Sequence, residues 1–227
     1  MQKKPSPLTS PLASHSASNH FRNDITGLIL AGGASQRLQA HHPGDKGLLP
    51  LNGKPLVAHV AHRLQPQVAQ LAISANQHLE QYAALGIPVW TDIKEDDWEE
   101  FPGPLAGMLT GLHHLQTEWL ATAPCDSPLL PNNLVEKLHQ QAINTHVKIV
   151  IACTHNGGQT KDHPVFALLH CSLKDSLYHY LAGGDRKIML WMKQHHFERV
   201  IFDDQQAFMA NINTIEDFDH LNQILKE

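Results

Sequence analysis

The chain has 227 residues, 42% of them hydrophobic, enough for one sizeable core. Its 17 basic and 22 acidic side chains give a net charge of −5; setting aside Lys3, Lys4, Arg22 and Asp24 leaves 14 and 21 for residues 25–227, or −7, a poor match to sequence-independent nucleic-acid binding, which needs a basic face. No apolar run approaches the about 18–20 residues that cross a bilayer, no apolar stretch follows the N-terminal lysines, and Cys125, Cys153 and Cys171 form no CxxC, so the expectation is a protein of the reducing cytoplasm with no membrane or nucleic-acid partner.

Residues 1–23 hold five serines and three prolines with almost no large apolar side chains. Such a segment buries too little surface to offset its ordering entropy, so a disordered tail is expected there and a single domain over residues 24–227. Ile25–Leu30 (ITGLIL) is a nearly continuous apolar run ahead of Gly32 and Gly33, the pattern of a strand buried on both faces. Residues 55–64 follow with apolar side chains at helical spacing and Pro55 suited to a first turn. Residues 68–74 read as a second strand, and Asn76 is placed to cap a helix running to Leu85. A short strand over 89–91, a helix over 105–115 that contains Gly107 and Gly111, and a strand over 119–123 come next, the last running into Pro124-Cys125-Asp126. Residues 132–141 read as a helix and 148–153 as a strand, and Asn156-Gly157-Gly158 reads as a hairpin turn into a strand over 165–169. Helices over 173–181 and 186–194, a strand over 197–202 and a terminal helix over 215–225 complete the chain. The alternation predicts an α/β fold: a mostly parallel sheet with helices on both faces and right-handed crossovers.

In such a sheet ligands sit beyond the carboxyl ends of the strands. After the first strand come Leu30, Ala31, Gly32 and Gly33, then Arg37 and later Asp45-Lys46. Paired glycines let backbone approach a ligand and turn N–H groups towards anions; Arg37 offers a fork for phosphate oxygens and Lys46 a point charge. The run is neither a Walker A loop nor GxGxxG. Asp126, at the end of the fourth strand, suits Mg²⁺, which takes one or two carboxylates plus substrate phosphates; an N-cap or turn aspartate near the helix that follows is the alternative.

Leu30-Ala31-Gly32-Gly33-Ala34-Ser35-Gln36-Arg37, Asp45-Lys46-Gly47-Leu48-Leu49, Gly53-Lys54-Pro55-Leu56, Pro102-Gly103-Pro104-Leu105-Ala106-Gly107 and Pro124-Cys125-Asp126 resemble the molybdenum cofactor guanylyltransferase (MobA) family, and Asp162-His163-Pro164 and Asn211-Ile212-Asn213-Thr214 continue the match. The resemblance covers about residues 24–225. It implies a Rossmann-like nucleotidyltransferase fold and transfer of GMP from GTP to the terminal phosphate of molybdopterin, with release of pyrophosphate. It implies that the loop Leu30, Ala31, Gly32, Gly33 binds the nucleotide, that Lys46 meets its phosphates with Arg37 assisting, that Asp92 lies at the nucleotide site, and that Asp126 holds Mg²⁺. Asp162, His163, Asn211 and Asn213 would face molybdopterin, and transient contact with cofactor-insertion or carrier proteins is implied. Two departures stand out: the segment 38–44 is longer than the usual link, with Gln39 where glycine is typical, and Ser74 stands where an asparagine often contacts the nucleotide, while Asn76 is retained. A molybdopterin cytidylyltransferase is the near alternative, in which the loop more often reads Leu-Ala-Ala-Gly; a non-catalytic molybdopterin carrier is the distant one.

Several residues carry plainer readings. The 18 histidines are scattered, with no HExxH, and read as surface side chains rather than metal ligands. Cys125 reads as a small buried residue, Thr214 as part of a capping box, and residues 94–100 (KEDDWEE) as a solvated loop or a flap. His163, before Pro164, is either a strand-entry residue or a substrate contact.

Overall fold

The computed structural model describes residues 21–32, 45–93 and 103–203. The expectations placed on residues 1–20, on 33–44 with Gly33 and Arg37, on 94–100, and on Asn211, Asn213, Thr214 and the helix over 215–225 lie outside the described residues.

β1 (Ile25–Leu30) is buried at all six positions, as its unbroken apolar run requires of a strand covered on both faces. A 3-10 turn (Lys46–Leu48) and a small hairpin of β2 (Pro50–Leu51) and β3 (Lys54–Pro55) lead into α1 (Leu56–Leu64). β4 (Gln70–Ser74), α2 (Leu79–Ala83), β5 (Val89–Trp90), α3 (Pro104–His114), β6 (Trp119–Pro124) and α4 (Leu134–Thr145) follow. The rest is β7 (Ile149–Asn156), β8 (Gln159–His170), α5 (Lys174–Ala182), α6 (Ile188–Gln194) and β9 (Phe197–Phe202). The main sheet has the order β5-β4-β1-β6-β8-β7-β9. β4, β5 and β6 run parallel to one another through β1, and β9 is parallel to β7; β8 alone is antiparallel to its neighbours.

Alternate side chains of β1 go to two separate cores. Ile25 and Ile29 pack with Val57, Val60 and Leu64 of α1 and Leu134, Val135 and Leu138 of α4. Leu28 joins Leu105, Met108 and Leu112 of α3, Leu177 and Leu181 of α5, and Trp191 of α6. The expected α/β sandwich is therefore present. Gly107 and Gly111 do not weaken α3: an added Cβ at Gly111 would lie 2.7 Å from both Leu28 and Leu120, and one at Gly107 2.7 Å from both Leu30 and Ser74. They are the residues that let α3 lie directly on the sheet.

Other local readings need correction. Residues 21–23, placed in the expected tail, belong to a 3-10 helix, Phe21–Asp24, whose Phe21 ring stacks on His139 with centroids 5.6 Å apart. Asn76 does not cap α2; His78 holds that position without a side-chain cap. α4 starts at Leu134, two residues after the expected start, and Gln67, from the turn after α1, accepts the Val135 N–H at 3.0 Å. β8 begins six residues before the expected strand, because the pairing with β7 slips between Ile151↔Ala167 and Ala152↔His163, leaving Pro164, Val165 and Phe166 in a bulge.

Candidate active site

Leu30 lies level with Ser74 on one side and Pro124 on the other, and Ser74 with Trp90. Ala31-Gly32, Ala75-Asn76, Thr91-Asp92 and Cys125-Asp126 therefore leave the sheet side by side. Pairing continues one residue past the strands: Ala31 donates its N–H to Ser74 O at 2.8 Å and Cys125 to Leu30 O at 3.1 Å. After β1 the chain moves outward through β4 to β5, then returns across α3 to β6 on the other flank. The crevice between the ends of β1 and β6 is the switch in strand order, where α/β sheets bind ligands.

Lys46 and Asp126 meet there. Lys46 Nζ donates to Asp126 Oδ2 at 2.5 Å, with the two side chains 12% and 15% exposed. Asp126 thus belongs to the crevice and is no cap of α4, whose N-cap is Asn133. Lys46 stands on the 3-10 turn that Asp45 caps, the Asp45 carboxylate accepting Gly47 N–H at 3.0 Å and the Tyr82 hydroxyl at 2.7 Å. Burial, with Cys125 and Asp45 adding to it, pushes the Tyr82 phenol far up, so it remains a donor. Burial and the neighbouring Asp126 likewise push the Cys125 thiol well up, consistent with a small packed residue and not a nucleophile.

On the other side of Gly32, Asp92 accepts Ser74 Oγ at 3.0 Å and Asn76 Nδ2 at 2.8 Å, and the Asn76 carbonyl accepts the Asp92 N–H at 3.0 Å. Gly32 sits against this trio: an added Cβ would lie 3.1 Å from Asn76 Nδ2 and 3.7 Å from Asp92 Oδ2. Ile93 N–H on Thr110 Oγ1, 3.0 Å, ties the same segment to α3. The structure so brings together Leu30, Ala31, Gly32, Lys46, Ser74, Asn76, Asp92 and Asp126 along one edge. Asp162 and His163 stand instead in the β7–β8 hairpin. Asp162 accepts Arg199 Nε on Oδ1 at 2.7 Å and Arg199 Nη2 on Oδ2 at 2.9 Å, and buried His163 pairs its Nε2 with Thr154 Oγ1 at 2.9 Å. Burial, with Lys161 beside it, lowers the His163 pKa from its ordinary value.

Residues 27–200 match the MobA-like NTP transferase domain. The chain belongs to the MobA-like NTP transferase family. A molybdenum cofactor guanylyltransferase of Cupriavidus necator is 48% identical over 197 residues, covering 86% of this chain and 95% of its own. Another, of Bordetella pertussis, is 44% identical over 200 residues, covering 88% and 98%. Among solved structures, molybdopterin-guanine dinucleotide biosynthesis protein A of Archaeoglobus fulgidus superposes with a TM-score of 0.68 at 20% identity, covering 88% of this chain and 98% of its own. The 4-diphosphocytidyl-2C-methyl-D-erythritol synthase of Anaerococcus prevotii gives 0.69 at 13%, covering 90% and 99%. The fold is the Rossmann-like nucleotidyltransferase fold, and this MobA-like chain is a nucleotidyltransferase.

Within the MobA-like site, a cation has one ready ligand. Asp126 Oδ1 is buried and, among the described residues, has no hydrogen-bond partner, while Oδ2 is held by Lys46. Among the described residues, no group of three His, Cys, Asp or Glu side chains is arranged to hold a metal ion by itself. That donor set fits a hard divalent ion that takes one carboxylate and completes its shell with phosphate oxygens and water. No helix among the described residues is long and apolar enough to cross a membrane. Reading the sequence alone did not single out Tyr82, Thr110, Thr154 or Arg199; each acts through a partner distant in sequence, and no local pattern marks it.

Proposed function

We propose that the protein transfers GMP from GTP to the terminal phosphate of molybdopterin, forming molybdopterin guanine dinucleotide and pyrophosphate, in the cytoplasm and with Mg²⁺ as the divalent ion. The names of the relatives support the reaction, and the three unpaired cysteines, one of them exposed, are consistent with the compartment. The observation that carries the reading is the Lys46–Asp126 pair in the crevice, with the buried oxygen of Asp126 left for a metal.

In this reaction an oxygen of the molybdopterin phosphate attacks the α-phosphorus of GTP, and the bond from the α-phosphorus to the bridging oxygen breaks to release pyrophosphate. The nucleophile is already an anion, so no side chain has to remove a proton; consistent with this, Cys125 is held as a thiol. The obstacles are repulsion between two anions and charge on the leaving group. Lys46 supplies one fixed positive charge and Arg37 is assigned a second. Asp126, together with the triphosphate, would hold Mg²⁺, which would neutralise phosphate charge. Leu30, Ala31 and Gly32 would bring backbone close to the nucleotide, with Gly33 assigned to the same role, and Ser74, Asn76 and Asp92 form a hydrogen-bonded polar floor beside Gly32. The β7–β8 hairpin, which extends past the end of β6, is assigned with Asp162, His163, Asn211 and Asn213 to the molybdopterin side. As the product is a cofactor, a carrier or insertion protein is its expected recipient. Residues 24–227 are taken as one catalytic domain. The test is release of pyrophosphate from GTP by the full-length protein with molybdopterin and Mg²⁺. Absence of release, or release from CTP in preference to GTP, refutes the reading.

A further inference from the structure

Lys46 is held on a three-residue turn, and what fixes that turn is a fully buried residue outside the crevice. Tyr82, on α2, is 0% exposed, and its hydroxyl donates to Asp45 Oδ1, the same oxygen that accepts Gly47 N–H and caps the turn. The hydroxyl also lies 2.5 Å from where a Cβ of Gly47 would stand, and Cys125 Sγ lies 3.1 Å from the same point. Gly47 is therefore packed closely against both α2 and the residue that precedes Asp126, with no room for a side chain. One buried phenol thus constrains the turn carrying the cation through Asp45, and its spacing from the strand end carrying the carboxylate through Gly47 and Cys125.

We propose that Tyr82 is a positioning residue for nucleotidyl transfer, acting through Asp45 and Gly47 to hold Lys46 in register with Asp126; this rests on the proposed phosphate-binding role of Lys46. A hydroxyl hydrogen bond of this kind leaves packing almost intact when removed, so Tyr82→Phe isolates the positioning effect from the filling of the core. A displacement of about 1 Å at a reacting group costs up to about 100-fold in rate, so a small relaxation of the turn gives a loss of about tenfold.

The experiment measures pyrophosphate release and melting temperature for full-length wild type, Tyr82→Phe, Lys46→Ala and the double variant. Tyr82→Phe is expected to lower kcat/KM for GTP about tenfold in the wild-type background and less than twofold in the Lys46→Ala background, with the same small drop in melting temperature in both. Equal activity losses in the two backgrounds, or no loss from Tyr82→Phe while Lys46→Ala is crippled, overturn the proposal and leave the role of Lys46 standing. Wild-type turnover by Lys46→Ala overturns both. A second pair of variants separates geometry from charge. Asp45→Asn retains an acceptor oxygen for Tyr82 and Gly47 and is expected within threefold of wild type, whereas Asp45→Ala is expected to match Tyr82→Phe; equal activity of the two Asp45 variants contradicts the link.

Discussion

Replacing Asp126 by asparagine removes one charge and leaves the shape of the side chain. In the protein, Asp126 faces Lys46 at 2.5 Å with side-chain exposures of 15% and 12%, so both groups have given up most of their water. Breaking a fully buried pair by removing one partner costs about 3–5 kcal/mol; the residual exposure here brings the cost down to about 2 kcal/mol. For a domain of this size that is a drop in melting temperature of roughly 4–8 °C, which leaves the fold populated at assay temperature. The effect on turnover is larger. The variant loses the buried anionic oxygen that would hold the metal, and removing one preorganised charge at a site of developing charge costs about 10²–10³ in rate. The assay is pyrophosphate release across a Mg²⁺ titration. Asp126→Asn is expected to lose this factor and to need more Mg²⁺ for whatever activity remains. Near-normal turnover at limiting Mg²⁺ would falsify the assignment of Asp126 as metal ligand.

Other outcomes follow from the packing around the crevice. Gly107→Ala places a Cβ 2.7 Å from both Leu30 Cδ2 and Ser74 Oγ, so the Leu30 and Ser74 side chains or α3 itself must shift, at a cost of about 1–3 kcal/mol, and the Ser74–Asp92 bond is disturbed. A lower melting temperature with a raised KM for GTP is expected; wild-type values for both show that Gly107 is not needed for the close approach. Burial lowers the pKa of His163, and burial also lowers those of His139 and His195. The folded state then binds fewer protons than the unfolded state, so stability is full above the ordinary histidine value of about 6.5 and falls as the pH drops through the lowered folded values. Thermal melts between pH 7.5 and 5 check this. His163→Gln, which can still bond Thr154, is expected to flatten the acid limb, and an unchanged slope removes His163 from the account.

The parts of the fold that the sequence made legible are those governed by local pattern. The unbroken run of β1 and the strand Phe197–Phe202 were readable to their end residues, and the helical stripe of α1 to within one residue. The β2–β3 hairpin was missed although its signal is present: Asn52-Gly53, both at positive φ (49° and 76°), is the two-residue turn such hairpins favour. Pro164 hid the length of β8, because a proline is admitted there only by the bulge. Asn76 resembles a cap from its neighbours in sequence, yet its amide is taken by Asp92, 16 residues away, a partner that only the β4–β5 pairing creates. The site shows the same division. The motif positions Lys46, Asp92 and Asp126 could be named in advance, whereas Tyr82, which braces Lys46, sits in an ordinary-looking short helix and is revealed only by the packing of that helix on the turn.

The most direct test of the central claim is a single-turnover experiment with molybdopterin, Mg²⁺ and radiolabelled nucleotide, comparing α-³²P GTP with α-³²P CTP. The account predicts that label passes from GTP to molybdopterin in one-to-one yield with pyrophosphate, and that CTP gives little product. Transfer from CTP in preference to GTP, or binding of molybdopterin with no transfer from either nucleotide, contradicts it.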